Sequence, residues 1–178
     1  MLKQILKYGL IAGLIAGIPM LGLTLAMKDH PPTSWGMAVG YLTMLIAFTT
    51  IFLAIKRKRD IEHGGIIRFW PAVGLGLGIS VIASVIYVLC WEAALAASGI
   101  DFIGAYSETL IEEQKAKGAS AEAIAALAAE MQQLATDYAN PLFRMPLTFT
   151  EIFPIGVLVT LVSAGLLRNS RFLPLQRT

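Results

Sequence analysis

The chain has 178 residues, of which 56% are hydrophobic and only 15% are charged, and its formal net charge is +2. A mean hydropathy of +0.68 is too apolar for an ordinary soluble domain and predicts a membrane protein. A single cysteine excludes an internal disulfide.

Four stretches are long and apolar enough to cross a bilayer, which takes about 20 residues at about 1.5 Å each. They run from about 5 to 27, 35 to 55, 69 to 91 and 146 to 167. The first follows a basic start, as the core of a signal peptide does, but it exceeds the usual core of about 7–15 residues. Its best cleavage site, Thr24-Leu25-Ala26, is unconvincing. We therefore expect the first stretch to be retained as a helix.

Basic residues gather at one side of the predicted spans, and such residues remain cytoplasmic when they lie near span ends. They are Lys3, Lys7, the predicted loop Lys56-Arg57-Lys58-Arg59, Arg68, Arg168, Arg171 and Arg177. Most acidic residues fall in the other two connections. We predict cytoplasmic termini and no nucleic-acid-binding surface. The basic loop serves either as a topology determinant alone, the simpler interpretation, or also as a contact for anionic lipid.

The long connection between the third and fourth spans, about 98–145, predicts an extracytoplasmic helical hairpin, because it is rich in Ala, Glu and Gln. Its second half carries an apolar stripe at helical spacing, formed by Ile124, Leu127, Met131, Leu134 and Tyr138. Ser120 is a suitable N-cap and Gly118 a suitable stop. The stripe could be covered by the other half of the hairpin, by the outer leaflet or by another protein through Leu127, Met131 and Leu134.

Glycines recur every four residues within the spans, which lets helix backbones approach closely. The positions are Gly9, Gly13 and Gly17 in the first span, Gly36 and Gly40 in the second, and Gly74 and Gly78 in the third. Packing within one bundle is the favoured interpretation. A homodimer face and ligand contact are the alternatives.

Catalytic patterns are scarce in the sequence. By the predicted topology His30 and His63 lie on opposite sides of the membrane, so they cannot share a metal ion. Cys90 lacks an adjacent activating group, which favours a packed thiol over a nucleophile. We therefore expect no enzymatic activity, no metal and no cofactor.

Two carboxylates near the predicted outer span ends are the candidate functional groups, Glu92 and Glu151. Glu151 lies about five residues into the fourth span, roughly 7 Å below its start, where an ionised side chain is costly unless paired or hydrated. Pro154 opens the local backbone hydrogen bonding. Glu151 could pair with Arg144 or the Thr148 hydroxyl, could handle a ligand, ion or proton together with Glu92, or could contact a partner. Our hypothesis is a polar pocket under the hairpin.

Several segments together resemble the domain-of-unknown-function family DUF4199. They are "YGLIAGLIAG" near the start, Gly64-Gly65-Ile66-Ile67-Arg68-Phe69, "DYANPLF" at the end of the hairpin, and "TFTEIFPIGVLVTLVSAGLLR". The resemblance covers nearly the whole chain. It implies a small bacterial integral membrane protein with four helices and no assigned activity, and it supplies no catalytic residues.

We therefore predict a single all-α membrane domain of four transmembrane helices with an extracytoplasmic amphipathic helical hairpin between the third and fourth. The favoured function is a non-enzymatic accessory or scaffold subunit of an envelope system in the bacterial inner membrane. Its partners would be the lipid bilayer and either a second copy or another membrane protein. The alternative is a small oligomeric transporter or channel that uses Glu151 and Glu92, and an intramembrane enzyme comes third.

Overall fold

The computed structural model describes residues 1–26 and 34–174, and over that range its regular secondary structure is all helical, with no strand. Its helices are α1 (Leu2–Ala26), α2 (Ser34–Arg57), a π-helical turn (Lys58–Glu62), α3 (Phe69–Ser98), α4 (Phe102–Ala116), α5 (Ala121–Tyr138) and α6 (Pro141–Arg168). Four helices are long and apolar enough to cross a membrane, namely α1, α2, α3 and α6. The prediction of an all-α membrane protein with four spanning helices is confirmed. His30 and Arg177 lie outside the described residues.

The four long helices form a bundle in which α3 packs against both α1 and α6, and α2 packs against α1 and α6 on the other side. Because Gly9 faces Ile82 and Gly17 faces Cys90, α1 and α3 run parallel. Helix α6 runs antiparallel to α3. We call the end that carries the π-helical turn the basic end and the end that carries α4 and α5 the hairpin end. The core is formed mainly by Phe48, Ile51, Ile55, Leu75, Ile79, Ile152 and Leu167.

The close approach of α1 to α3 depends on the first glycine series. A Cβ added at Gly9, Gly13 or Gly17 would lie 2.6 Å from a side-chain atom of Ile82, Ile86 or Cys90, respectively. Gly78 has the same relation to Ile5, also at 2.6 Å. Gly40 and Gly74 instead have no heavy atom within 4 Å of that position. The surroundings of Gly36 are not among those described.

A second seam of small residues joins α3 to α6, and the glycine spacing did not reveal it. An added Cβ at Gly76 would lie 2.5 Å from Thr160, and one at Gly156 would lie 2.6 Å from Ser80. Buried hydroxyls along this seam donate to carbonyl oxygens one turn earlier, as Ser80 does to Gly76 at 2.9 Å and Ser84 to Ser80 at 2.8 Å. Satisfied in this way, the hydroxyls are tolerated in the core.

The predicted basic loop at 56–59 is helical instead. Helix α2 continues through Arg57 into the π-helical turn, where Lys56 pairs with Asp60 at 2.6 Å and Lys58 with Glu62 at 2.9 Å. Such i,i+4 ion pairs stabilise helical conformation, which explains why the chain does not turn at the first charged residue. Arg59 is fully buried and donates to two backbone carbonyls of the 169–174 segment, at 2.8 and 2.6 Å.

Tryptophans mark the two ends of the apolar zone on α3. Trp70 is 77% exposed at the basic end, and Trp91 lies half-buried at the hairpin end. About 31 Å of helix separates them, which matches the thickness of a bilayer hydrocarbon core of about 30 Å. Depths below are measured from the level of Trp91.

Candidate functional site

An ion pair ties the end of α3 to the start of α6 at the hairpin end. Arg144 Nε donates to Glu92 Oε1 at 2.7 Å, and Arg144 Nη2 donates to Glu92 Oε2, so the pair is bidentate. The Glu92 side chain is 18% exposed and that of Arg144 14%. Arg144 Nη1 also donates to the carbonyl oxygen of Tyr138 at 3.1 Å. The guanidinium is therefore fully engaged.

Local chain signals position Arg144. Asn140 caps α6 by accepting a hydrogen bond from the backbone N–H of Leu142 at 3.0 Å, and Pro141 occupies the first helical position. Arg144 thus sits in the first turn of α6, level with the last turns of α3. Helix α6 therefore begins at Pro141, five residues before the predicted start of the fourth span at 146.

An aromatic cluster docks the hairpin onto the bundle. Trp91 Nε1 donates to Tyr138 Oη at 2.7 Å, and the Trp91 and Phe102 rings meet edge to face with centroids 5.1 Å apart. Phe102 also stacks on Tyr106 at 6.4 Å, and the Arg144 guanidinium lies 5.5 Å from the centre of the Tyr138 ring. These contacts connect α3, α4, α5 and α6 at one point.

Burial raises the pKa of Tyr138 above its ordinary value, although the hydrogen bond from Trp91 acts in the opposite direction. The carboxylate of Glu151 adds a smaller electrostatic contribution that also raises the Tyr138 pKa. The phenol therefore stays neutral over the physiological range. It can keep its hydrogen bond and its place in the cluster.

Helices α4 and α5 pack against each other, so the apolar stripe of α5 faces inward. Met131 on the stripe is 8% exposed, Ile103 on α4 is 6% exposed, and Leu127 and Leu134 are partly buried. Of the three possible coverings of this stripe, the structure shows the other half of the hairpin. A partner contact through Leu127, Met131 and Leu134 would require the hairpin to open.

Glu151 makes no hydrogen bond or ion pair with this network among the described residues, and it lies on the outward face of α6. It is exposed, and so are its neighbours on that face, Leu147 at 38%, Leu158 at 61% and Val162 at 52%. The residue lies seven positions after Arg144, two helical turns or about 10 Å deeper in the apolar zone. Within residues 1–26 and 34–174, no side chain donates a hydrogen bond to the Glu151 carboxylate.

The structure thus places the predicted site residues differently from the sequence-based hypothesis of one polar pocket. Arg144 binds Glu92, and the Thr148 hydroxyl donates to the Arg144 carbonyl oxygen at 3.1 Å, so neither serves Glu151. The separation of two helical turns is the physical reason, because Arg144 reaches outward to the end of α3. Glu92 and Glu151 accordingly do not form a single carboxylate site.

Pro154 adds a second polar group to the outward face. Because proline has no N–H, the carbonyl oxygen of Thr150 cannot receive the usual hydrogen bond from four residues ahead. Thr150, Glu151 and Pro154 are all exposed. We call these three residues the α6 polar patch. It combines a carboxylate on the outward face of α6 with a backbone carbonyl that lacks its usual helical donor.

Other candidate chemistry is not assembled at the hairpin end. Among the described residues, no three His, Cys, Asp or Glu side chains are grouped closely enough to hold a metal ion. Cys90 packs against Gly17, and His63 is exposed at the basic end.

The chain is similar to a known family over most of its length. A family model described as "Protein of unknown function (DUF4199)" matches residues 7–169. No curated protein and no solved structure matches the chain.

Proposed function

Because the chain belongs to the DUF4199 family, whose description assigns no activity, we propose a function from the geometry alone. The protein is a non-enzymatic accessory subunit that binds another membrane protein through the outward face of α6. In this proposal it resides in the bacterial inner membrane with both termini cytoplasmic and the hairpin outside. The basic and hairpin ends then follow the positive-inside distribution of charge.

The position of Glu151 is the observation that carries the proposal. A carboxyl group about 10 Å inside the apolar zone is costly to ionise against lipid, and residues of this kind ordinarily face a bundle interior or a water-filled cavity. In this chain the carboxyl instead faces outward, between Leu147 and Leu158. A second protein that covers this face would convert the outward position into an interior one.

The α6 polar patch also defines what the partner must offer. The Glu151 carboxylate is an acceptor, and so is the carbonyl oxygen of Thr150, whose hydroxyl already donates to the Leu147 carbonyl oxygen at 2.7 Å. A matching transmembrane helix would therefore present a donor or a cation at the same depth, such as a Lys, Arg, Asn or Ser side chain. The surrounding leucines would provide van der Waals contact.

Two observations weigh against the transporter alternative. Glu92 is bound at both carboxylate oxygens by Arg144, so it is not free to exchange ions or protons with a passing substrate. The α1–α3 contact is so close at Gly9, Gly13 and Gly17 that no water path fits there. An ion or proton path formed between copies of the chain could still use Glu151. The experiment below therefore includes an adduct between two copies as the competing outcome.

The experiment is site-specific photo-crosslinking in native membranes. A photoreactive residue at Leu158, on the α6 face, is compared with one at Leu42, which is 58% exposed on α2. We expect the Leu158 probe to form one defined adduct with a different membrane protein, and the Leu42 probe not to form it. Glu151→Leu should abolish the adduct, whereas Glu151→Gln should retain part of it because the amide still forms hydrogen bonds.

Adducts with lipid alone, or an adduct unaffected by Glu151→Leu, would contradict the accessory role of this face. An adduct with a second copy of the chain would also contradict it and would favour the oligomeric transporter. That alternative then predicts ion or proton flux in reconstituted vesicles that Glu151→Gln abolishes.

A further inference from the structure

A groove opens at the basic end between the start of α1 and the end of α2. Its volume is about 290 Å³, and its lining includes Lys3, Lys7 and Tyr8 from α1, Arg57 from α2, and Glu62 from the π-helical turn. We propose that this groove binds the phosphate group of an anionic phospholipid.

The basic residues at this end divide into two groups. Lys56, Lys58 and Arg59 each form an ion pair, with Asp60 or Glu62. Lys3, Lys7 and Arg57 are exposed, and within the described parts of the chain none of them has a carboxylate oxygen within 4.0 Å. The structure thus gathers in one groove three cations whose charge its described carboxylates do not neutralise.

The one acidic residue in the groove is already occupied. Glu62 accepts hydrogen bonds from Lys58 at 2.9 Å and from the Gln4 amide. Its charge is therefore largely compensated before a ligand arrives. Three cations within one groove favour an anion with several acceptor oxygens, and a phosphate has that chemistry.

The surface below the cations is apolar on both helices. On α1 the face that carries Lys3 and Lys7 continues with Leu10, which is 50% exposed, and Leu14, which is 38% exposed. On α2 Leu53, one turn below Arg57, is 55% exposed. This arrangement fits a lipid whose phosphate lies among the cations and whose acyl chains run along the leucines, and it is why we assign a lipid rather than free phosphate.

Aromatic rings place the groove at headgroup depth. The Lys7 ammonium lies 5.9 Å from the centre of the Tyr8 ring, and Trp70 is exposed at the same end of the bundle. Both ring types favour the membrane–water interface. The groove is thus at the level where a lipid phosphate is found.

The test is lipid binding by the full chain in neutral detergent, measured by native mass spectrometry during titration with phosphatidylglycerol or phosphatidylcholine. The groove variant is the triple substitution Lys3→Gln, Lys7→Gln and Arg57→Gln. The matched control is Arg68→Gln, Arg168→Gln and Arg171→Gln, which removes the same charge from exposed positions at the same end. Glycerol phosphate in the micellar solution serves as the soluble competitor.

We expect phosphatidylglycerol to bind more tightly than phosphatidylcholine, and each groove cation removed to weaken its binding on the order of fivefold. The triple groove variant should lose on the order of 100-fold, whereas the control should change little. If the triple variant does not fold, Arg57→Gln alone compared with Arg68→Gln provides the same contrast.

Equal weakening by the groove and control variants would overturn the proposal, because diffuse surface charge would then explain binding. Equal affinity for the two lipids would also overturn it. Full displacement by glycerol phosphate at concentrations comparable to the lipid would overturn the assignment to a lipid in favour of a soluble phosphate ligand.

Discussion

Substituting Gly13 by alanine tests the close packing of α1 on α3. The new Cβ would lie 2.6 Å from Ile86 Cβ and 3.1 Å from the carbonyl oxygen of Ala83. Favourable carbon contacts begin at about 3.5 Å, so the two helices would have to separate by about 1 Å. Neither atom is the free end of a flexible side chain, and rearrangement within the pair is therefore limited.

Overpacking of this kind costs about 1–3 kcal/mol, and the higher helix propensity of alanine offsets up to about 1 kcal/mol of that. We expect Gly13→Ala to lower stability by about 1–2 kcal/mol, or the Tm by roughly 2–8 °C for a chain of this size. Gly22 on the same helix has no heavy atom within 4 Å of the Cβ position, so Gly22→Ala is the matched control and should leave the Tm unchanged or raise it.

Thermal unfolding in detergent, followed by tryptophan fluorescence, measures both variants against the parent chain. A Gly13→Ala protein with the Tm of the Gly22→Ala control would refute the reasoning. Such a result would mean that the glycines of α1 are permitted at these positions but are not required for packing against α3.

Three further predictions concern other contacts of the bundle. Glu92→Gln should leave the Arg144 charge unpaired and lower the free energy that holds the hairpin on the bundle by about 2 kcal/mol. Adding Arg144→Gln should recover part of that loss. Limited proteolysis of the hairpin measures both variants. Because the Tyr138 pKa is raised above 10.0 in the folded chain, the stability contribution of this group is complete below about pH 10 and falls as the pH rises further. The difference in tyrosinate absorbance between the parent chain and Tyr138→Phe should report one phenol whose pKa lies above the ordinary tyrosine value, and a difference curve centred at the ordinary value would contradict this. Gly17→Ala should lower the Tm as Gly13→Ala does, because the added Cβ would lie 2.6 Å from Cys90 Sγ and 2.9 Å from Cys90 Cβ. Thermal unfolding in detergent measures this, and a Tm equal to that of the Gly22→Ala control would contradict it.

The elements of the fold follow from local sequence signals. Length and hydropathy suffice to identify the four spans, and caps suffice for the hairpin, where Ser120 accepts a hydrogen bond from the backbone N–H of Ala123 at 3.2 Å. Gly118 has a φ of 76°, as expected of a helix stop in the left-handed region. These features depend only on residues that are close together in the sequence, so the sequence alone is sufficient to predict them.

The partners of the polar groups could not be predicted in the same way. From the sequence alone Arg144 could pair with either of two carboxylates, Glu92 near the end of α3 or Glu151 two turns along its own helix. Which of them it binds depends on how α3 and α6 are rotated against each other, and no local pattern reports that rotation. Glycine spacing has the same weakness, since Gly13 and Gly74 belong to equally regular series but only Gly13 faces another helix.

The Glu92–Arg144 pair also closes the base of the hairpin. It joins residues 52 positions apart, so the chain leaves the bundle at the end of α3 and returns to it at an adjacent point on α6. A segment whose two ends are neighbours can be exchanged for another without changing the path of the remaining chain. The hairpin is therefore replaceable, and a short polar loop in its place should leave the four-helix bundle folded.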